Sequence, residues 1–361
     1  MSRFKQLLLI ICVFALVITG CNNLGNNTED SSTNSENVNK ERYSASFLNV
    51  FDTVTQILGY DTSREEFDTK IGIIQDKLEY YHKLYDIYKT YEGINNIRTI
   101  NENAGKEPVK VDQAIIDLLK FSIDLYDKTN GQTNIAMGSV LSIWHDYRTQ
   151  GINNPSNASL PSKEELEEAN KHTDITKIII DEEASTVYLA DSEMSLDVGS
   201  IGKGYAVQCV AEYARELGYN NYVLSVGGNI ISIGPKFDNN PWRLGIQNPD
   251  LSSSKTTVAT VDIVDLCLVT SGDYQRFYTV DEVEYCHIID PDTLMPANHC
   301  KSVSIITANS GIADALSTAV FNMSFEEGLA FINNYDGAEA MWVLEDGSIK
   351  YSDNFEQYLV K

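Results

Sequence analysis

An aspartate and a threonine stand four residues apart in Ala313-Asp314-Ala315-Leu316-Ser317-Thr318. On a helix, that spacing puts both side chains on one face. A carboxylate and a hydroxyl are oxygen donors that suit a small hard cation. Magnesium in particular keeps positions open for water and substrate phosphates. The same pair also has a structural use, as an acid near a helix N-terminus and a threonine bonded back to a carbonyl. A second stretch, Asp197-Val198-Gly199-Ser200-Ile201-Gly202-Lys203-Gly204, holds three glycines, an acid and a lysine. It lies between a strand pattern, Thr186–Leu189, and a helix pattern carried by Ala206, Val207, Val210, Ala211, Ala214 and Leu217. Backbone can approach a phosphate closely there, and the N–H groups of an opening helix point at an anion. The plain alternative is a tight connection with a surface lysine. His287 stands among apolar residues with Asp290 three positions on. It reads either as a base or as a satisfied core histidine. Asp273-Tyr274-Gln275-Arg276, after Ser271-Gly272, either lines a cleft or turns the chain.

The elements that must position these groups follow from periodicity. Phe47–Tyr60 reads as a first strand, and the Ser63–Glu66 capping box opens a long helix through Phe67, Ile71, Ile74, Leu78 and Tyr85. A tyrosine-rich loop covers Tyr85–Ile94, and a helix over 112–127 breaks at Asn130-Gly131. Residues 151–162 read as a polar loop, followed by a short acidic helix from Ser162. Lys177–Ile180 and Thr186–Leu189 form a hairpin pattern. After the glycine-rich turn and its helix, strands are expected at 222–229, 242–246, 256–263, 267–272, 286–289 and 303–307. A helix opens near Gly311, another is capped at Ser324, and Ala340–Leu344 closes the chain as a strand. The fold class this predicts is α+β, with mostly antiparallel sheets and flanking helices.

The chain's first residues read as a signal peptide. Arg3 and Lys5 precede the apolar run Leu7–Val17, then Ile18-Thr19-Gly20-Cys21. That ending resembles a bacterial lipobox, which predicts a signal over 1–20 and lipid on Cys21. Residues 21–43 are polar and predict a flexible tether, and 44–361 the folded domain. The expected location is the extracytoplasmic face of the cell membrane, held by lipid. The formal net charge is −25, with no basic cluster, which argues against a nucleic-acid partner. A phosphate-bearing ligand would then need a metal ion to offset the repulsion. Cys209, Cys267, Cys286 and Cys300 lack metal-ligand spacing and read as thiols.

Taken together, and in this order, the motifs resemble the FAD:protein FMN transferase (ApbE) family over roughly Phe47–Leu344. The carriers are Asp197–Ala206, Gly227-Gly228-Asn229, Ser271-Gly272-Asp273-Tyr274, His287–Pro291 and Ala313–Thr318. The resemblance implies an ApbE-like, T-fold-related domain that binds FAD with Mg2+ at its pyrophosphate. It implies transfer of FMN to a threonine or serine hydroxyl of a target flavoprotein, with release of AMP. Under it, Asp314 and Thr318, with Ser317 beside them and the carbonyl of Ser200, bind the metal. Phe51, Asp197, Lys203, Ile288, Gln132, Thr133 and Asn134 contact FAD, as does Tyr88 or Tyr91, and His287 matches the candidate base. Three positions depart from the family pattern. Asn134 replaces an aspartate, Ser200 an alanine or glycine, and Leu294 follows Thr293 where a glycine is usual. Two other functions fit the same residues: hydrolysis of FAD to FMN and AMP, and flavin binding by a surface lipoprotein without chemistry.

Overall fold

The computed structural model describes residues 39–361. The signal segment, Cys21 and most of the expected tether therefore lie outside the described residues. The chain opens with strands β1 (Glu41–Val50) and β2 (Thr53–Asp61), then helices α1 (Arg64–Tyr85) and α2 (Ile97–Glu102). Strand β3 (Val109–Lys110) leads to α3 (Gln113–Lys128), α4 (Gly138–Asn153) and α5 (Lys163–Asn170). The hairpin β4 (Ile178–Asp181) and β5 (Thr186–Leu189) precedes α6 (Gly202–Glu216). Next come β6 (Tyr222–Val226), β7 (Asn229–Ile233), β8 (Trp242–Gln247), β9 (Thr257–Ile263), β10 (Cys267–Gly272), β11 (Phe277–Val280), β12 (Val283–Cys286) and β13 (Cys300–Thr307). Helices α7 (Ser310–Phe321) and α8 (Phe325–Asn333) and strands β14 (Ala338–Leu344) and β15 (Ile349–Tyr351) complete it.

An eight-stranded sheet, in the order β1-β2-β6-β7-β10-β13-β14-β15, is antiparallel throughout. Both faces are covered, so its central strands are nearly continuous apolar runs. Leu224, Ile231, Val269 and Ile305 pack under α1, α6 and α7. Their neighbours Val223, Ile230, Leu268 and Ile306 face the β8–β9 hairpin through Trp242, Leu244 and Val261. Helix α1 is aligned by Phe67, Ile71, Ile74 and Leu78, all buried along one stripe, and Ser63 caps its start by accepting from Glu66 N–H. A second cluster joins α2, α3 and the β3-β5-β4 sheet to the first turn of α6. A third packs α4 and α5 on β11 through Val140, Trp144, Leu166 and Tyr278.

The α+β class stands, and four local expectations change. Phe47–Tyr60 is a hairpin of two strands, not one strand. Its turn residues Phe51 and Asp52 have φ of 52° and 49°, a conformation for which the sequence offers no glycine or asparagine signal. The strand expected at 222–229 ends at Val226, and Gly227-Gly228 (φ 54° and 91°) turn the chain into β7. Glu41–Tyr43, expected as tether, pair with Gly59–Asp61 at the sheet edge. Strand β12 ends at Cys286, which frees His287–Ile289 from the ladder. Among the described residues, no helix is long and apolar enough to cross a membrane, and all four described cysteines are unpaired.

Candidate functional site

One end of the main sheet carries the β1–β2 turn, the β6–β7 turn and the last residues of β10. The starts of α6 and α7 meet beside them. Gly204 sits at the crossing. A Cβ placed on it would lie 2.3 Å from the Ser310 carbonyl oxygen and 2.5 Å from Asp314 Cβ. Only glycine lets the two helices come this close. The contact brings the two sequence motifs together: Gly204 N–H donates to Asp314 Oδ2 at 2.7 Å, and Lys203 Nζ lies 3.2 and 3.4 Å from the two carboxylate oxygens. Gly204→Ala is therefore expected to cost about 3 kcal/mol, because the obstructing atoms are backbone and cannot rotate away. Urea unfolding of the variant measures it; a loss under about 0.5 kcal/mol would show that the helices are free to separate.

A cleft opens over this junction in two chambers. The first, about 270 Å³, is lined by Thr53, Gln132, Thr133, Asn134, Ser200, Thr270, Ser271, His287, Ile288, Asp314 and Thr318, among others. The second, about 340 Å³, has Phe51, His82, Tyr85 and Asp86 in its walls. Tyr88, His145, Arg148, Asp197, Lys203 and Arg276 border both. The first chamber is the more polar, and it holds the Asp314 carboxylate and the Thr318 hydroxyl on one face of α7.

Most of the residues singled out from sequence converge here. Thr133 is buried and donates from Oγ1 to the Ala315 carbonyl at 2.9 Å, tying the segment after α3 to α7. Gln132 donates to Asp292 Oδ2 at 2.8 Å, and its own Oε1 is buried without a partner. Asn134 spends its amide locally, accepting from Ala136 N–H and donating to the Thr173 carbonyl. Of the two tyrosines, Tyr88 borders both chambers. Tyr91 borders neither; its hydroxyl donates to Asp86 Oδ2 at 2.7 Å. Ser317 does not line the cleft either. It is fully buried, hydrogen-bonded to Ser271 Oγ at 2.8 Å and donating to the Asp314 carbonyl at 2.9 Å. Its hydroxyl braces α7 against β10 instead of facing the cleft. Leu294 holds φ 62°, the left-handed region that favours glycine, with its side chain buried and its carbonyl accepting from Trp144 Nε1.

Electrostatics divides the walls. Burial pushes the Asp197 carboxyl up; the Gly199 N–H at 2.8 Å, His145 and Arg148 oppose it. Burial, with Arg276, Arg148 and Lys203 nearby, pulls His287 down to about 3, so the imidazole is neutral near pH 7. Its Nδ1 is buried and has no partner. The donors at Asp314, Thr318 and Ser200 are all oxygens, which fit a hard cation that keeps waters and phosphate oxygens in its shell. No cluster of three His, Cys, Asp or Glu side chains gathers among the described residues. Lys203 already shares the Asp314 carboxylate, and a cation there competes with its ammonium.

One arginine, Arg148, and the helix that carries it have no counterpart in the sequence analysis. Helix α4 was not foreseen, and it runs into the expected 151–162 loop. Leu141, Trp144, His145 and Arg148 follow i, i+3, i+4 and i+7 spacing, the one signal that would have put Arg148 on a cleft-facing stripe. Of the two readings of Asp273–Arg276, the structure has Tyr274, Gln275 and Arg276 lining the cleft.

Comparison with known proteins places these features in a family. The model of the ApbE family matches residues 51–342. The FAD:protein FMN transferase of Treponema pallidum is 31% identical over 270 residues, covering 71% of this chain and 72% of that one. The crystal structure of the ApbE protein from Thermotoga maritima superposes with a TM-score of 0.78 at 28% identity, covering 89% of this chain and all of that one. The flavin transferase ApbE from Vibrio cholerae gives a TM-score of 0.74 at 25% identity, again covering 89% of this chain and all of that one.

Proposed function

This chain belongs to the ApbE family and is a transferase enzyme, and from that premise we propose that it moves the FMN part of FAD onto a threonine or serine hydroxyl of a target flavoprotein, releasing AMP. The observation that carries the reading is the junction of Asp314 with the Lys203-Gly204 turn at the floor of a two-chambered cleft. A dinucleotide has two ring systems and a charged bridge, and the cleft has two chambers joined at a cationic border.

Asp314, Thr318 and the Ser200 carbonyl are the groups that would hold Mg2+. Held by these groups, Mg2+ would supply charge neutralisation at phosphate oxygens, which would make the anhydride a better electrophile. The rest falls to the chain's own residues. Lys203 supplies a second positive charge beside Asp314. His287 is neutral and its buried Nδ1 has no partner, so it is the group that would take the proton of an acceptor hydroxyl. Its low basicity comes partly from Arg276, Arg148 and Lys203. An anionic substrate screens those charges and raises the imidazole's proton affinity when it is needed. Phe51 and Tyr88 offer aromatic surface to the flavin. Lipid on Cys21 would hold the enzyme at the extracytoplasmic face of the membrane, where exported flavoproteins are the targets.

The test is incubation of the purified protein with FAD, Mg2+ and an acceptor flavoprotein, followed by mass spectrometry of the acceptor. The expected result is a gain of one FMN on a hydroxyl residue, with AMP in equal amount. AMP with free FMN and an unlabelled acceptor would replace transfer by hydrolysis. Retention of intact FAD with no AMP would leave only a binding protein.

A further inference from the structure

Arg148, from α4, and Arg276, from the segment between β10 and β11, border both chambers of the cleft. Neither has a carboxylate within ion-pair distance among the described residues, although the chain carries 52 acids against 27 basic residues. Arg148 hydrogen-bonds to His145 Nδ1 at 3.0 Å. Burial disfavours the charged form of Arg148, and the neighbouring Arg276 adds to that, against Tyr88 and Asp197. The unpartnered Nδ1 of His287 lies on the same wall. Arg148 is half-buried and Arg276 is exposed at the cleft's border, and a half-buried guanidinium with no carboxylate at ion-pair distance gains when an anion joins it. Asp197 is the carboxylate nearest in the border, and it already accepts from Gly199 N–H.

We propose that Arg148 and Arg276 grip the phosphate bridge of the dinucleotide where the two chambers meet, so that one ring system enters each chamber. This rests on the reading of FAD as substrate. In the transfer, the acceptor oxygen bonds to the phosphorus of FMN and the anhydride P–O bond breaks. The electron pair leaves with the AMP phosphate, and the hydroxyl proton passes to His287. The two guanidiniums face the oxygens on which charge grows, from elements other than the helix that carries Asp314. Planar forks of N–H donors suit phosphate oxygens. The assignment gives the enzyme a phosphate grip that does not depend on the metal.

That independence is the test. FAD and riboflavin, which lacks phosphate, are titrated by flavin fluorescence in buffer containing EDTA, against wild type, Arg148→Gln, Arg276→Gln, the double variant and Arg276→Lys. The double variant is expected to bind FAD roughly 10- to 100-fold more weakly and riboflavin within about twofold of wild type. Arg276→Lys should recover part of the loss, and thermal melting checks that each variant is folded. FAD affinity unchanged within twofold would overturn the assignment, as would a parallel loss of riboflavin, which places the arginines on the ring. The parent reading fails separately: if wild type moves no FMN in the transfer assay, the substrate is wrong. If wild type transfers FMN while the double variant binds FAD normally, only the arginine grip is lost.

Discussion

Asp314→Asn should lower the rate of FMN transfer by about a thousandfold while leaving the protein folded. The amide keeps the shape of the carboxylate, and its oxygen can still accept from Gly204 N–H, so the α6–α7 crossing survives. What disappears is the negative charge that balances Lys203 and that, under the proposed function, would hold the cation. Lys203 then faces the phosphates unpaired, which tightens ground-state binding without helping the transition state. Only stabilisation that grows toward the transition state raises the rate. Charge neutralisation by a bound metal is worth several kcal/mol, and each 1.36 kcal/mol is tenfold in rate. FAD affinity in EDTA should therefore hold or improve, while AMP release collapses. Transfer within tenfold of wild type would remove Asp314 from the chemistry.

His287→Gln carries the second large effect. Glutamine fills the space and accepts a hydrogen bond, but it cannot take a proton. Transfer is expected to fall by about 10²- to 10⁴-fold, the range for loss of a positioned base, with FAD affinity changed little. The same substitution has a second readout in the protein without ligand. In the folded chain, His287 stays neutral down to about 3, against an ordinary value of 6.5. Between those limits the unfolded chain binds the extra proton and the folded chain does not. Stability contributed by keeping the ring neutral is present above 6.5 and is lost as pH falls toward 3. Wild type should lose more stability than His287→Gln on going from pH 7 to pH 5, measured by urea unfolding at both values. Equal losses would mean that the ring is solvated and titrates normally. A hydrolytic enzyme would also respond to His287→Gln, since water needs its proton removed too; only the labelled acceptor separates the two.

Much of this molecule was legible from order and type along the chain. Three glycines and a lysine before an amphipathic stretch marked the α6 turn, and the four-residue spacing of Asp314 and Thr318 marked one helix face. The helices α1, α3, α6 and α8 followed from apolar period and caps, because those signals are local. Other features had no local signal. The β1–β2 turn uses Phe51 and Asp52 in a left-handed conformation that the sheet imposes. Tyr88 and Tyr91 are three residues apart and chemically alike, yet Tyr88 borders both chambers while Tyr91 borders neither and bonds to Asp86. Ser317 sits between Asp314 and Thr318 in sequence, yet helix geometry points it at Ser271 instead. Arg148 and Arg276 lie 128 positions apart, and nothing along the chain says that they border one space. Residue type and period are written one neighbour at a time, so sequence determined which chemistry is available and which helices and strands carry it. Which groups share a cavity, and which are spent bracing its walls, depends on how a sheet edge and two crossing helices pack. That is settled by contacts between residues far apart in the chain, and only the tertiary structure decided it.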